Sequence, residues 1–295
     1  MNARISKPNK RLGGLLEALY RERVPQARMG ADPIEIPHRY RDPLDIEVAG
    51  LLSAVLAYGR VGLFKPIVDK ILALCGDSPY RYVRSFDPLR EGPRFRGIYY
   101  RFNRAEDFVS LLHRMGRVIR DQGSLGRCFV SHFKASDADI GPALIRFIAT
   151  LKEAQPGPLS RGLGYMLPSP EAGSACKRLN LYLRWMVRPD DGIDFGLWKA
   201  VSPAHLIIPL DTHIIRIASY LGLSQRKSPD WRMAKEITTA LKRFDPSDPL
   251  KYDFSLCHLG ISGDCPLKAD AKKCGDCLLQ DGCRRGKRTL RQAAA

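Results

Sequence analysis

Apolar residues recur at intervals of three and four along most of this chain, the period that gathers them on one face of a helix. The clearest case is Phe108, Leu111, Leu112, Met115, Val118 and Ile119. The same spacing predicts a first helix around Leu12, Leu15, Leu16 and Leu19, another from about Phe64 to Cys75, and further helices from Cys128 to Phe133 and from Ile140 to Leu151. From Glu47 to Tyr58 the run is apolar nearly all round, so this helix belongs inside the core. Its start is marked by Asp42-Pro43-Leu44-Asp45, which supplies a cap, a proline at the first helical position and an acid in the first turn. Ile214, Ile217, Ala218 and Leu221 predict a helix opening at Asp211. Trp231, Ala234, Ile237 and Leu241 predict another, entered through Ser228 and Pro229, and Asp248-Pro249 starts the last long one. A cap near Asp137 precedes the Ile140 helix. No stretch alternates apolar and polar residues between hairpin turns, so the expected class is all-α.

Breaks in this pattern divide the chain into four expected segments. Residues 1–42 hold a basic segment, the first helix and a connector broken by Pro33 and Pro37. Residues 43–154 form a central helical lobe, within which Arg94 to Arg104 interleaves arginine with aromatics and reads as arginine stems packed over rings. Residues 155–256 open on a glycine- and proline-rich stretch that marks tight turns between helices, and residues 257–295 hold most of the cysteines.

Charge narrows the function. The 295 residues are 44% hydrophobic and 27% charged, ordinary for a globular protein, but 48 Lys and Arg against 31 Asp and Glu leave a net charge of +17. That excess points to a polyanion, and nucleic acid is the commonest one for a soluble chain. No apolar run is long enough to span a bilayer, and the basic N-terminus lacks the apolar core of a signal peptide. The chain is expected to be cytoplasmic and monomeric, with no membrane partner.

Three places carry candidate chemistry. Asp211 sits at the mouth of an apolar helix, where it is either an N-cap or a working carboxylate. Lys177 stands before a helix beginning near Arg178, as a nucleophile or as a solvated phosphate contact in a turn with Gly173 and Ser174, whose small side chains let backbone N–H groups approach a phosphate. Cys265, Cys274, Cys277 and Cys283 crowd together in a chain expected in a reducing compartment, where metal ligation is favoured over disulfides. Four thiolates suit either zinc or a [4Fe-4S] cluster, and spacing alone does not separate the two. Cys257 is the reserve for the first ligand, although its place in an apolar helix reads better as core. Arg284 and Arg285, with Lys268, Lys272, Lys273, Lys287 and Arg288, make the surrounding stretch a basic loop suited to a phosphate backbone.

The words at these places resemble one family. Leu210-Asp211-Thr212-His213-Ile214, followed by Arg216, is similar to the catalytic segment of the helix-hairpin-helix DNA glycosylase superfamily, the group that includes endonuclease III and the adenine-mismatch and 8-oxoguanine glycosylases. Leu51-Leu52-Ser53-Ala54 resembles a word in the buried second helix of endonuclease III, and Lys272 to Cys283 resembles the C-terminal cluster loop of that enzyme, with eight residues here in a first gap where the family has six. Leu167-Pro168, Gly173 and Lys177 resemble the hairpin, with Ser169-Pro170-Glu171-Ala172 in place of its tighter glycine turn. The connector containing Asp190 to Trp198 resembles the archaeal 8-oxoguanine glycosylase branch, and the chain as a whole is similar to an uncharacterised bacterial branch of the superfamily. The resemblance implies a two-lobed all-α fold with a cleft between lobes and a [4Fe-4S] cluster on the four cysteines. It further implies a repair glycosylase that flips a damaged base into the cleft, with Asp211 facing the sugar and Lys177 giving AP lyase activity. A non-catalytic DNA-lesion or structure-binding protein of the same fold is the alternative.

Overall fold

In the computed structural model, residues 10–22, 29–30 and 32–295 are described. The basic stretch 1–9 lies outside them. The helices are α1 (Lys10–Arg21), α2 (Pro43–Leu56), α3 (Val61–Cys75), α4 (Pro79–Arg84), α5 (Pro88–Glu91), α6 (Ala105–Gln122), α7 (Leu125–His132), α8 (Gly141–Glu153), α9 (Arg161–Met166), α10 (Lys177–Val187), α11 (Thr212–Leu221), α12 (Trp231–Lys242), α13 (Asp253–Ile261), α14 (Ala271–Gly275) and α15 (Arg284–Ala293). Among the described residues there is no strand, only the isolated bridges Tyr100 to Asn103 and Ser174 to Asp230. The chain is all-α, and no helix among the described residues is long and apolar enough to cross a membrane.

Helix starts follow local chemistry. Asp42 accepts the Leu44 N–H with Pro43 behind it, and Ser78 accepts the Arg81 N–H with Pro79 behind it. Three expected starts move. Before α8 the N-cap is Ile140, with no side-chain cap, and Asp139, not Asp137, takes the Gly141 N–H on its Oδ1 at 2.8 Å. Asp230 caps α12 in place of Ser228 and Pro229. The helix expected to start at Asp248 begins at Asp253, and the Asp248 carboxylate is instead taken by Arg188 at 2.8 Å. In the Arg94 to Arg104 stretch, Phe95 and Tyr100 are buried as packing requires, while Tyr99 and Phe102 remain exposed.

The core is built on α2 and α10. Every residue of α2 from Asp45 to Leu56, and every residue of α10 from Arg178 to Val187, is buried. The two helices meet at Gly50, where a Cβ would come within 3.1 Å of Met186 and 3.3 Å of Tyr182. Each aliphatic side chain buried in such a contact contributes about 1.5 to 3 kcal/mol. Helices α4 and α7 pack on α2, and α6, α8 and α9 pack in turn on one another and on α4 and α7. Farther along the chain, α11 packs on α13 and α15, and α1 returns to the C-terminal part, where Arg11 pairs with Asp281 and Tyr252 donates to Glu17 at 2.6 Å. Apolar residues from all four expected segments belong to one core cluster.

Buried charges lock α10 to the connector and helix beyond it. Arg184 lies between Asp194, at 3.2 Å, and Asp253, at 2.5 Å, while Arg188 holds Asp194 and Asp248. All five side chains are buried except Asp248, which is partly exposed. Removing one partner of such a network leaves a charge without compensation and costs about 3 to 5 kcal/mol. Asp194 belongs to the connector between Lys177 and Asp211, so that connector is fixed from inside the protein.

Candidate active site

Asp211 ends the extended segment in which Ile207, Ile208 and Leu210 are buried and Pro209 keeps the backbone out of a helix. At φ −117° and ψ 179° its side chain turns back over the start of α11, and Oδ1 accepts the Ile214 N–H at 2.8 Å. The capping reading is therefore correct, yet it occupies one oxygen. Oδ2 accepts the S–H of Cys257 on α13 at 3.1 Å.

The register between α11 and α13 is set at Gly260. A Cβ there would lie 2.5 Å from His213 Nδ1 and 2.8 Å from His213 Cβ, so only glycine lets the helices approach this closely. Cys257, three residues earlier on the same helix face, is thereby brought to Asp211.

Asp211, Cys257 and Lys177 line one cavity of about 780 Å³, together with Tyr58, Tyr165 and Asp253. Lys177 is half-buried and is the first residue of α10. It follows Cys176, which adopts a left-handed conformation at φ 48°. The turn before it is held by Gly173 at φ 77°, whose carbonyl accepts the Trp231 N–H at 3.2 Å, and by the Ser174 to Asp230 bridge. Gly173 is exposed and Ser174 half-buried, with no atom within 4 Å of a Cβ on Gly173, so the turn is open to a large partner.

Arg178 departs from expectation. Its guanidinium is buried, donates to the backbone carbonyls of Val55 and Tyr165, and lies 4.3 Å from the Tyr165 ring centroid and 5.1 Å from that of Tyr58. With its donors directed inward it ties α10 to α2 and α9, and it is not a surface phosphate contact.

Burial and charge set the protonation of this wall. Burial holds the Asp253 carboxyl up at about 6, against the pull of Arg184 and with a further push from Asp211. Burial, then the charges of Asp211 and Asp253, push the Cys257 thiol well above the ordinary range, opposed by Lys177. Asp253 Oδ1 and Arg184 Nη2 are buried with no hydrogen-bond partner among the described residues. Asp253 and Arg184 escaped the sequence reading, and Cys257 entered it only as a reserve cluster ligand, because no spacing links them to Asp211. The one available signal was that Asp253 and Cys257 stand four apart on one helix face.

The other four cysteines form a second centre. Cys265, Cys274, Cys277 and Cys283 line one small cavity with Tyr220 and Arg285. Cys257 lies apart from it, paired with Asp211, so it is not the first ligand. Among the described residues no three His, Cys, Asp or Glu side chains converge as the ligands of a single metal ion would. The basic residues here act partly inward. Arg285 lies 4.7 Å over the Tyr220 ring and donates to the Tyr220 hydroxyl and the Leu267 carbonyl, so it braces α11 and is not a free DNA contact. Arg284 is exposed, its guanidinium set close over Gly222 at the C-terminal end of α11, where a cation is favoured. Arg216 on α11 donates to the Cys265 carbonyl at 2.7 Å.

No curated protein and no solved structure matches the chain. The family described as proteins of unknown function, DUF2400, matches residues 32–262, a span that holds Asp211, Lys177, Cys257 and the other cavity residues and stops before the four clustered cysteines. The chain belongs to the DUF2400 family.

Proposed function

We propose that this protein is a DNA repair glycosylase with AP lyase activity, acting on duplex DNA through the cavity shared by Asp211 and Lys177. The observation that carries the reading is that these two side chains, distant in sequence and singled out separately, line the same cavity. In this reading α2 to α9 make one lobe, α1 and α11 to α15 the other, and α10 joins them beside the cleft. The net charge of +17 draws in the phosphate backbone, and the damaged nucleotide is extruded into the cavity. Asp211, with one oxygen capping α11, uses the other to stabilise the positive charge that develops at the sugar C1′ as the base departs. The Lys177 amine attacks C1′ as the base departs and gives up a proton, opening of the C1′–O4′ bond then gives the Schiff base, and β-elimination from it breaks the 3′ C–O bond to the phosphate.

Cys265, Cys274, Cys277 and Cys283 suit an iron-sulfur cluster. Four soft thiols ring one cavity, the Gly286 N–H points to Cys283 Sγ at 3.2 Å, and Lys268, Lys273 and Arg285 supply positive charge against a thiolate cluster. When bound, the cluster supplies a rigid anchor for the loop that braces α11.

The test is a panel of duplexes, each with a single damaged base, incubated with the purified protein. Release of one base class, greatly slowed in Asp211→Asn with duplex affinity retained, is expected; no release from any member contradicts the reading. The hydrogen bond from Ile214 to Asp211 favours a second reading, a non-catalytic DNA-lesion binder in which Asp211 is a cap. That reading expects tight lesion binding without turnover.

A further inference from the structure

The Asp211 carboxylate has two oxygens with different duties. Oδ1 takes the Ile214 N–H, as any capping aspartate would. Oδ2 faces Cys257 Sγ at 3.1 Å inside the cavity that Lys177 also lines. The contact is enforced, because Gly260 fixes how α13 lies on α11 and so where residue 257 stands. Asp253, one turn before Cys257 on α13, lines the same cavity at 2% exposure with Oδ1 unpartnered among the described residues, which marks this wall as one that meets a polar ligand.

We infer that Cys257 is a positioning residue for base excision: its thiol donates to Asp211 Oδ2 and aims that oxygen at the sugar of the extruded nucleotide. The inference rests on the proposed excision activity. Sulfur chemistry suits the task. An S–H group is a weak donor, so it orients the carboxylate while leaving nearly all its negative charge for a cation at C1′. A lysine or arginine at the same place would neutralise that charge. The proton stays on sulfur, since burial and the neighbouring carboxylates hold the thiol well above its ordinary range, which also makes Cys257 a poor nucleophile.

Two measurements test this. The first is infrared difference spectroscopy, with the Cys257 S–H stretch isolated by subtracting Cys257→Ala. The band is expected at lower frequency in the wild type than in Asp211→Asn, where an amide N–H₂ replaces the accepting oxygen. The second is single-turnover excision on the lesion panel. Cys257→Ala is expected to slow excision about tenfold with unchanged duplex affinity, and Cys257→Ser to recover most of the loss by restoring a donor. An S–H band at the same frequency in the wild type and Asp211→Asn overturns the inference. So does a Cys257→Ala protein that excises at the wild-type rate, or a Ser variant as slow as Ala. If the wild type excises no base, the excision reading fails by itself, and the infrared band still decides whether the thiol holds the carboxylate.

Discussion

At the scale of single residues, capping and catalysis at Asp211 are compatible because they use different oxygens. This separates two substitutions. Asp211→Ala removes the cap and is expected to lower stability by about 1 kcal/mol in urea denaturation. Asp211→Asn keeps an N-capping oxygen and is expected to leave the unfolding midpoint nearly unchanged, while single-turnover excision falls by about a hundredfold or more, as when an electrostatic stabiliser is removed. A parallel loss of stability and rate in both variants would return Asp211 to a purely structural part. The sequence made Asp211 legible because capping chemistry is local. It gave no sign that Arg178 and Arg285 turn their guanidiniums to backbone carbonyls and aromatic rings, because nothing in a string of residues tells which way a long side chain points.

At the scale of elements, the contact between α11 and α13 is the joint on which the site depends. Gly260→Ala would press a methyl group against the base of the His213 side chain, which can be relieved only by moving one helix. A destabilisation of about 1 to 3 kcal/mol is expected, together with slowed excision even though residue 260 touches no substrate. Excision at the wild-type rate in Gly260→Ala would show that the register is not what places Cys257. Farther away, the turn Pro33–Glu35 is pinned to α3 by a pH-sensitive pair. Glu35 accepts from Arg39 Nε and Nη2, at 2.9 and 2.8 Å, and pairs with Lys65 at 2.7 Å. These contacts, Arg39 first, outweigh burial and hold the carboxyl down at about 2. A folded value below the unfolded one stabilises the protein above the ordinary carboxylate range, and that stabilisation is lost as pH falls from about 4.5 through about 2. The Glu35 side chain is 28% exposed, so solvent screening reduces the effect. Glu35→Gln should therefore be less stable than wild type at neutral pH, with the gap in unfolding midpoint closing as pH falls toward 2. A gap independent of pH would contradict it. Most helices were legible because one buried face repeats. Helix α15 was not: its sequence is mainly basic, and it stands on the small residues Gly286 and Thr289, which give no periodic signal.

At the scale of the whole molecule, the all-α class was legible because apolar residues recur at helical spacing along most of the chain. Hydrophobic periodicity says that a face is buried, not which neighbour buries it. The long-range partnership of α2 with α10, and the return of α1 to the C-terminal segment, carry the core across every boundary drawn from composition. The charge balance is likewise a property of the whole. With +17 to place against phosphates, duplex affinity is expected to fall steeply and linearly in log–log form as salt rises, and a flat salt response would remove the polyanion from the account. What joins charge, fold and site is the convergence of residues 177 and 211 on one cavity. The most direct test is borohydride reduction of the protein on a duplex holding one abasic site, followed by denaturing electrophoresis. A covalent protein–DNA adduct formed by the wild type and absent from Lys177→Ala is expected; no adduct from the wild type, or an undiminished one from Lys177→Ala, would contradict the account.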